Sequence, residues 1–197
     1  MGTIWRWLLT HLIDALGREV RTALNQTAAA EPLAWGKRVS PDFRTRVITI
    51  AHRLSLDPSN LMAIMAFETG RAFSATTVNR RSGATGLIQF MPSTAKALGT
   101  TTARLAGMTE VQQLDYVERY LRPYAGRMTD LASAYMAVLW PAAVGKPLSH
   151  VLFASPSLAY EQNRGLDADK DGKITKAEAA AKVQRLLLEG MRPDNFG

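Results

Sequence analysis

Apolar residues recur along most of the chain with the period of an amphipathic α-helix, and the alternating pattern of strands is scarce. Two sites pair a helix-capping residue with a following proline, Ser40-Pro41 and Asp57-Pro58. Thr109 begins a Thr-x-x-Gln sequence with the spacing of a capping box. These patterns predict a mainly α-helical fold.

The expected helices follow from these start signals and from the glycines and prolines that end each periodic segment. Helices are expected at 3–24, 41–55, 57–70, 92–99, 109–124, 130–140, 156–163 and 176–189, with loops at 71–91 and 142–155. Residues 25–36 are small, polar and interrupted by proline, which is typical of a linker. We therefore expect three parts: an N-terminal helix and linker at 1–34, a central domain at 35–155, and a C-terminal helix-loop-helix at 156–197.

The N-terminal segment leaves several interpretations open. Residues 3–24 combine an apolar stripe with a polar face, and Trp5 and Trp7 stand near its start. Such a helix can lie in a membrane interface, dock on a partner such as a virion protein, or pack on its own domain. Arg6 and Asp14 interrupt its apolar stretch, so it is not a clear signal peptide.

Composition narrows the classes of ligand. The formal net charge of +7 favours anionic partners, but no nucleic-acid motif is present, so nucleic acid is not expected. The chain has no cysteine, and its three histidines are far apart, which argues against a zinc site. No run of apolar residues is long enough for a spanning helix, and no organic cofactor is expected.

Glu68 is the strongest catalytic candidate. It shares the apolar face of its predicted helix with Leu61, Ile64 and Met65, and it lies in the last turn, at the negative end of the helix dipole. Burial and the dipole both disfavour a charged carboxylate. A carboxyl that stays protonated near neutral pH can act as a general acid on a glycosidic oxygen. The alternative is an acid that turns out to solvent.

A small-residue loop follows Glu68. Gly83, Ala84 and Gly86 would let the backbone approach a ligand closely, and Gln89 offers a donor and acceptors without charge. This combination suits a sugar chain. The alternative is an ordinary glycine-containing turn that leads into a helix, with an exposed glutamine.

Three segments in order carry a resemblance to a known family. They are Glu68-Thr-Gly, residues 82–95 with the sequence Ser-Gly-Ala-Thr-Gly-Leu-Ile-Gln-Phe-Met-Pro-Ser-Thr-Ala, and Ala134-Tyr135. They resemble the lysozyme-like lytic transglycosylases, which include goose-type lysozymes and soluble lytic transglycosylases. The resemblance covers roughly residues 35–165, and its wider context is most similar to a branch found in bacteriophage cell-wall lysins.

The resemblance implies a lysozyme-like helical domain that acts on peptidoglycan. Glu68 would protonate the bond between N-acetylmuramic acid (MurNAc) and N-acetylglucosamine (GlcNAc), and then act as base on the MurNAc 6-hydroxyl to form a 1,6-anhydro ring. Gln89 would hydrogen-bond the substrate, Gly86 and Leu87 would line the cleft, and Tyr135 would orient Glu68 or the sugar. One carboxyl would serve both steps, in agreement with the lack of an obvious second acid near Glu68 in the sequence.

Two departures from the family pattern keep alternatives open. Met136 stands where the family has asparagine, and Ile88 replaces the usual methionine. A hydrolytic muramidase on the same fold, or a non-catalytic wall-binding protein of a virion, would also accommodate these residues. The resemblance implies a phage lysis enzyme or a virion component that acts in the bacterial periplasm or cell envelope.

Residues 167–178 fit the twelve-residue calcium loop of an EF-hand. Gly172 stands at the sharp turn and Ile174 at the apolar eighth position. The metal ligands would come from Asp167, Asp169, Asp171, Lys173 through its carbonyl, Thr175 directly or through water, and Glu178. EF-hands usually pair, whereas this one is single, so we expect bound Ca²⁺ to have a structural role. It would hold the C-terminal helices against the central domain.

Overall fold

Helices in the structure begin where the capping residues predict them. The computed structural model describes residues 31–197, so the predicted helix at 3–24 lies outside the described residues. Ser40 accepts a hydrogen bond from the backbone N–H of Phe43, at 3.2 Å. The Asp57 carboxylate accepts from the N–H of Ser59, and Thr109 forms the predicted capping box. Local side-chain hydrogen bonds therefore fix these starts.

The described residues form eight α-helices and one small sheet. The helices are α1 (Pro41–Arg53), α2 (Pro58–Glu68), α3 (Pro92–Ala97), α4 (Thr102–Ala106), α5 (Glu110–Leu121), α6 (Leu131–Leu139), α7 (Leu158–Asn163) and α8 (Lys176–Gly190). The antiparallel strands are β1 (Val151–Ala154) and β2 (Lys173–Thr175). The prediction of a mainly α fold is confirmed, and the architecture is consistent with a lysozyme-like helical domain.

Two elements differ from the sequence expectation. Helix α4 has only five residues, too few to show a periodic pattern. The expectation that residues 142–155 form only a loop is wrong, because β1 lies within them. β1 has only four residues, and its pairing partner β2 is about twenty residues away in the chain, so a local pattern could not reveal it.

Helix α2 is the centre of the core. All of its residues from Leu61 to Ala66 are buried. A helix that is apolar on every side must be covered on every side, and α1, α6 and α8 all pack against it. The helix that ends at Glu68 is therefore held by neighbours from the whole of the described chain.

The C-terminal helix α8 makes the most extensive contact with α2. The indole N–H of Trp35 donates to the carbonyl of Leu186 in α8, at 2.9 Å. Near the end of α8, Arg71 forms a two-pronged ion pair with Glu189, at 2.7 and 2.8 Å. Since Arg71 follows Glu68 closely in the chain, α8 supports both the helix and the turn that carry this glutamate.

In the part of the chain that the structure describes, no helix has the length and apolar character needed to cross a membrane.

Candidate active site

Glu68 is the last residue of α2, and the local sequence explains why the helix stops there. Thr69 adopts a non-helical conformation, and Gly70 follows with φ +60°, a left-handed conformation that glycine adopts without steric cost. The Thr69 hydroxyl also donates to the carbonyl of Met65, at 2.6 Å. The Glu68 carboxyl therefore lies at the negative end of the helix dipole.

The electrostatics of Glu68 match those of a general acid. Burial raises the pKa of the Glu68 carboxyl from 4.5 to about 8. Among residues 31–197, no hydrogen bond or ion pair stabilises its charged form. Glu68 is nevertheless partly exposed to solvent. It is thus a proton-carrying carboxyl in an apolar wall that a ligand can reach.

Two tyrosines lie within the electrostatic influence of Glu68. Tyr135 is buried in α6 and packs edge-on against Phe67, with ring centroids 5.6 Å apart. Its pKa is raised well above the ordinary value by burial and then by the charge of Glu68. Burial, then the charges of Tyr124 and Glu68, raise the pKa of Tyr120 to about 12. The structure therefore brings Glu68 and the predicted site residue Tyr135 together.

Tyr120 was not identified from the sequence. Its hydroxyl donates to the carbonyl of Ala137 in α6, at 2.9 Å, so the ring is fixed between α5 and the helix of Tyr135. A signal was present, because Tyr116, Tyr120 and Tyr124 recur at four-residue spacing and so share one face of the predicted helix.

Gly86 has two physical reasons to be glycine. Its φ is +82°, and a Cβ atom added there would overlap the side-chain amide of Gln113. The Gly86 N–H donates to the carbonyl of Thr77, at 2.7 Å. Gly86 thus allows the loop to pack tightly on α5.

Gln89 lies in the same loop with its own unusual backbone, at φ +50°. Its side-chain nitrogen donates to the carbonyls of Thr77 and Gly86, at 3.2 and 3.1 Å. None of the hydrogen bonds within residues 31–197 uses its side-chain oxygen. A small cavity of about 40 Å³ is lined by both Gln89 and Tyr120, so Gln89 lies near the tyrosine whose pKa responds to the Glu68 charge.

Leu87 is fully buried. This burial includes its main chain as well as its side chain. Its N–H donates to the side-chain oxygen of Gln113, at 2.7 Å. Gln113 is also fully buried, and its nitrogen donates to the carbonyls of Ala75 and Leu105.

Gln113 is a positioning residue that sequence reasoning missed. One of its three hydrogen bonds ties the Gly86–Gln89 loop to α5, and the other two tie Ala75, and Leu105 of α4, to the same helix. The available signal was an uncharged polar residue beside Leu114 and Val117, on the face of the predicted helix expected to be buried. Met136, at the position where the family has asparagine, is fully buried and offers no hydrogen-bonding group in its side chain.

The loop at residues 167–178, here called the acidic loop, lies away from Glu68 in the chain and brings three aspartates together. Carboxylate oxygens of Asp167, Asp169 and Asp171 lie within 4.8 Å of one another, close enough to share a metal ion. A hydrogen bond from the Tyr160 hydroxyl lowers the pKa of Asp167. Asp167 is therefore ionised at neutral pH, as a metal ligand must be.

The remaining predicted ligands have other contacts. Glu178 lies outside the aspartate cluster, but one of its oxygens accepts from the N–H of Ala168 across the loop, at 2.9 Å. Its other oxygen accepts from the N–H and hydroxyl of Thr175, both at 2.8 Å. Lys173 begins β2. The structure thus places Glu178 and Thr175 at the closing end of the loop.

Strand β1 pairs with β2, the strand in the second half of the loop at residues 167–178. Phe153 is opposite Ile174 in the two-stranded sheet, and the N–H of Ser155 donates to the carbonyl of Gly172, at 2.8 Å. β1 thus gives the single loop its pairing partner.

Comparison with known families agrees with this geometry. Residues 46–137 match the family described as Transglycosylase SLT domain. This stretch contains Glu68, the Gly86–Gln89 loop and Tyr135, and it ends before the acidic loop. Residues 46–137 are therefore similar to the domain of the peptidoglycan lytic transglycosylases. No solved structure matches the chain.

The predicted enzyme class is thereby confirmed, and peptidoglycan is the substrate that this domain implies.

Proposed function

We propose that Glu68 carries out both proton transfers in the cleavage of the MurNAc–GlcNAc bond. Protonated Glu68 gives its proton to the glycosidic oxygen as the bond to MurNAc C1 breaks. The resulting carboxylate takes the proton of the MurNAc 6-hydroxyl, whose oxygen bonds to C1. A 1,6-anhydro end forms, no water is consumed, and Glu68 is protonated again.

The observation that carries this proposal is the isolation of one proton-carrying carboxyl. Burial accounts for the raised pKa of Glu68, and no other carboxylate of residues 31–197 contributes to it. Glycosidases that use two carboxylates place them roughly 5 to 10 Å apart, where each would influence the titration of the other. One carboxyl group that acts first as general acid and then as general base fits the site of Glu68 better than a pair of carboxylates.

The other predicted residues would act around Glu68. Tyr135 would orient the carboxyl or the sugar beside it, because its ring lies within the influence of the Glu68 charge. Gln89 would hydrogen-bond the glycan through its side-chain oxygen. Gly86 and Leu87, which are both buried, would shape the cleft indirectly by holding the loop of Gln89 against α5.

A hydrolytic muramidase is the second candidate, and Met136 is the observation that favours it. The family has asparagine at this position, whereas Met136 has no side chain able to orient a sugar hydroxyl. Water would then replace the 6-hydroxyl as the attacking group, and the new glycan ends would be reducing sugars.

The pH dependence tests the role of Glu68 as acid. Because the first step needs protonated Glu68, the rate constant kcat/KM for release of soluble glycan should stay high up to a pH of about 8. Above that it should fall about tenfold per pH unit. An ordinary glutamate would lose its proton, and the enzyme its rate, above about pH 4.5. A rate that already falls at mildly acidic pH would contradict the assignment.

We further propose that the acidic loop binds Ca²⁺. The clustered oxygens of Asp167, Asp169 and Asp171 suit a hard cation that prefers oxygen ligands. Glu178, Thr175 and the carbonyl of Lys173 would complete the site. The ion would stabilise the start of α8 and, through α8, the packing on α2.

The biological setting is proposed from the sequence resemblance. We propose a phage endolysin or virion-associated lysin that acts in the bacterial periplasm or cell envelope, with residues 3–24 contacting a membrane surface or a virion protein. Deletion of residues 1–24 tests the membrane contact, since flotation with anionic liposomes that does not change on deletion would exclude it.

A further inference from the structure

A pocket of about 360 Å³ lies beside the end of α2, where the transglycosylase SLT domain meets the C-terminal segment. Its aromatic wall consists of Phe67, the chain neighbour of Glu68, and Tyr135, whose titration responds to the Glu68 charge. The rest of the pocket comes from residues beyond position 137: Gln162, Asn163, Gly165, Leu166 and Lys182. The C-terminal segment therefore completes a concave surface next to the proposed catalytic acid.

Several polar groups of this pocket have donors or acceptors that no other group of residues 31–197 uses. The ammonium group of Lys182 makes no hydrogen bond or ion pair within residues 31–197, although the side chain is partly buried. The Gln162 side-chain amide likewise has no partner in that range. Asn163 donates its nitrogen to the carbonyl of Ala159, at 2.9 Å, which leaves its oxygen as an acceptor.

The chemistry of these groups indicates which kind of ligand the pocket can bind. The partly exposed Phe67 ring, packed on the almost fully buried Tyr135, gives an apolar contact surface. The amides of Gln162 and Asn163 can bond peptide or acetamido groups. The ammonium of Lys182, which has no partner within residues 31–197, favours an anion, and a carboxylate forms a charge-assisted hydrogen bond with such a group. The acidic peptide substituents of peptidoglycan supply both amides and carboxylates.

We propose that this pocket binds the acidic peptide attached to the glycan strand, with Lys182 bonded to a peptide carboxylate. Gln162 and Asn163 bond the peptide amides, and Phe67 and Tyr135 form the aromatic wall of the pocket. The inference rests on the proposed action on peptidoglycan. It assigns to the C-terminal segment a direct part in substrate selection.

Binding measurements test this assignment without turnover. In a Glu68→Gln background, the dissociation constants are measured by calorimetry for a glycan fragment that carries its peptides and for the same glycan without peptides. Lys182→Ala should weaken binding of the peptide-bearing fragment about tenfold, the usual effect of one charge-assisted hydrogen bond. It should leave binding of the peptide-free glycan unchanged.

Two further variants sharpen the comparison. Arg185→Ala removes an exposed cation from the same helix but outside the pocket, and it should change neither constant. Gln162→Ala should weaken only the peptide-bearing fragment, by about threefold. Equal affinity of the Lys182→Ala and parent proteins for this fragment, or an equal loss for both ligands, would overturn the proposal.

The result of the binding comparison does not depend on the proposed catalytic role of Glu68. If the wild-type protein releases no glycan fragments, the role of Glu68 fails while the binding comparison still decides the role of Lys182.

Discussion

Glu68→Gln is expected to lower the rate of soluble glycan release from purified sacculi by at least about 10²-fold. A glutamine cannot give a proton to the glycosidic oxygen or take one from the 6-hydroxyl, and general acid–base catalysis typically contributes a factor of this size. The rate is measured under conditions where the wild-type protein is active. The matched control is Glu110→Gln, a partly exposed acid at the start of α5, which should keep the wild-type rate.

The same substitution should make the protein more stable, which separates loss of chemistry from loss of folding. The pKa of Glu68 is raised to about 8 in the folded protein, so the folded state holds this proton more tightly than the unfolded state. This contribution to stability is complete below about pH 4.5 and is lost as the pH rises to about 8. At pH 7 the Glu68→Gln variant, whose new side chain is neutral in both states, should therefore gain on the order of 3 kcal/mol.

Denaturant unfolding at acidic and neutral pH measures this gain. A variant that loses activity and stability together at both pH values would contradict the assignment of Glu68 as a buried acid.

Calcium is expected to raise the melting temperature by about 10 °C. Free Ca²⁺ at roughly a thousandfold excess over its dissociation constant stabilises the folded state by about 4 kcal/mol. In a protein of this size each kcal/mol corresponds to about 2–4 °C. The stabilisation should act on α8, because the acidic loop ends where α8 begins and α8 packs on the core helix α2.

Glu178→Gln tests the site without disturbing the helix start. Gln retains an oxygen for the capping box that Glu178 forms with Thr175, but it removes a charged metal ligand. The variant should lose most of the thermal response to calcium. Asp194→Asn, at an exposed position outside the loop, should retain it. If chelation of calcium leaves the melting temperature of the wild-type protein unchanged, the ion does not stabilise α8.

The helices were predictable because their determinants are local. Ser40, Asp57 and Thr109 cap helices through contacts within three residues along the chain. β1 was missed because its partner strand is distant in the chain, so short apolar segments such as Val151–Ala154 carry no distinctive local pattern.

The site was predictable to a smaller extent. The position of Glu68 on an apolar helix face anticipates its burial, and the acidic loop has ligand spacing that the sequence alone displays. The contributions of Tyr120, Gln113 and Lys182 depend on which helices pack together. The packing of α6 and α8 on α2, and of α5 on α1, is a non-local result, so the neighbours of Glu68 could not be predicted from local sequence patterns.

The measurement that tests the central claim most directly is mass spectrometry of the soluble products from purified sacculi. The proposed mechanism predicts fragments with 1,6-anhydro ends from the wild-type protein and a strong loss of them from Glu68→Gln. Fragments with reducing ends would contradict the single-carboxyl transglycosylase mechanism and favour a muramidase. Equal amounts of anhydro products from both proteins would contradict the role of Glu68.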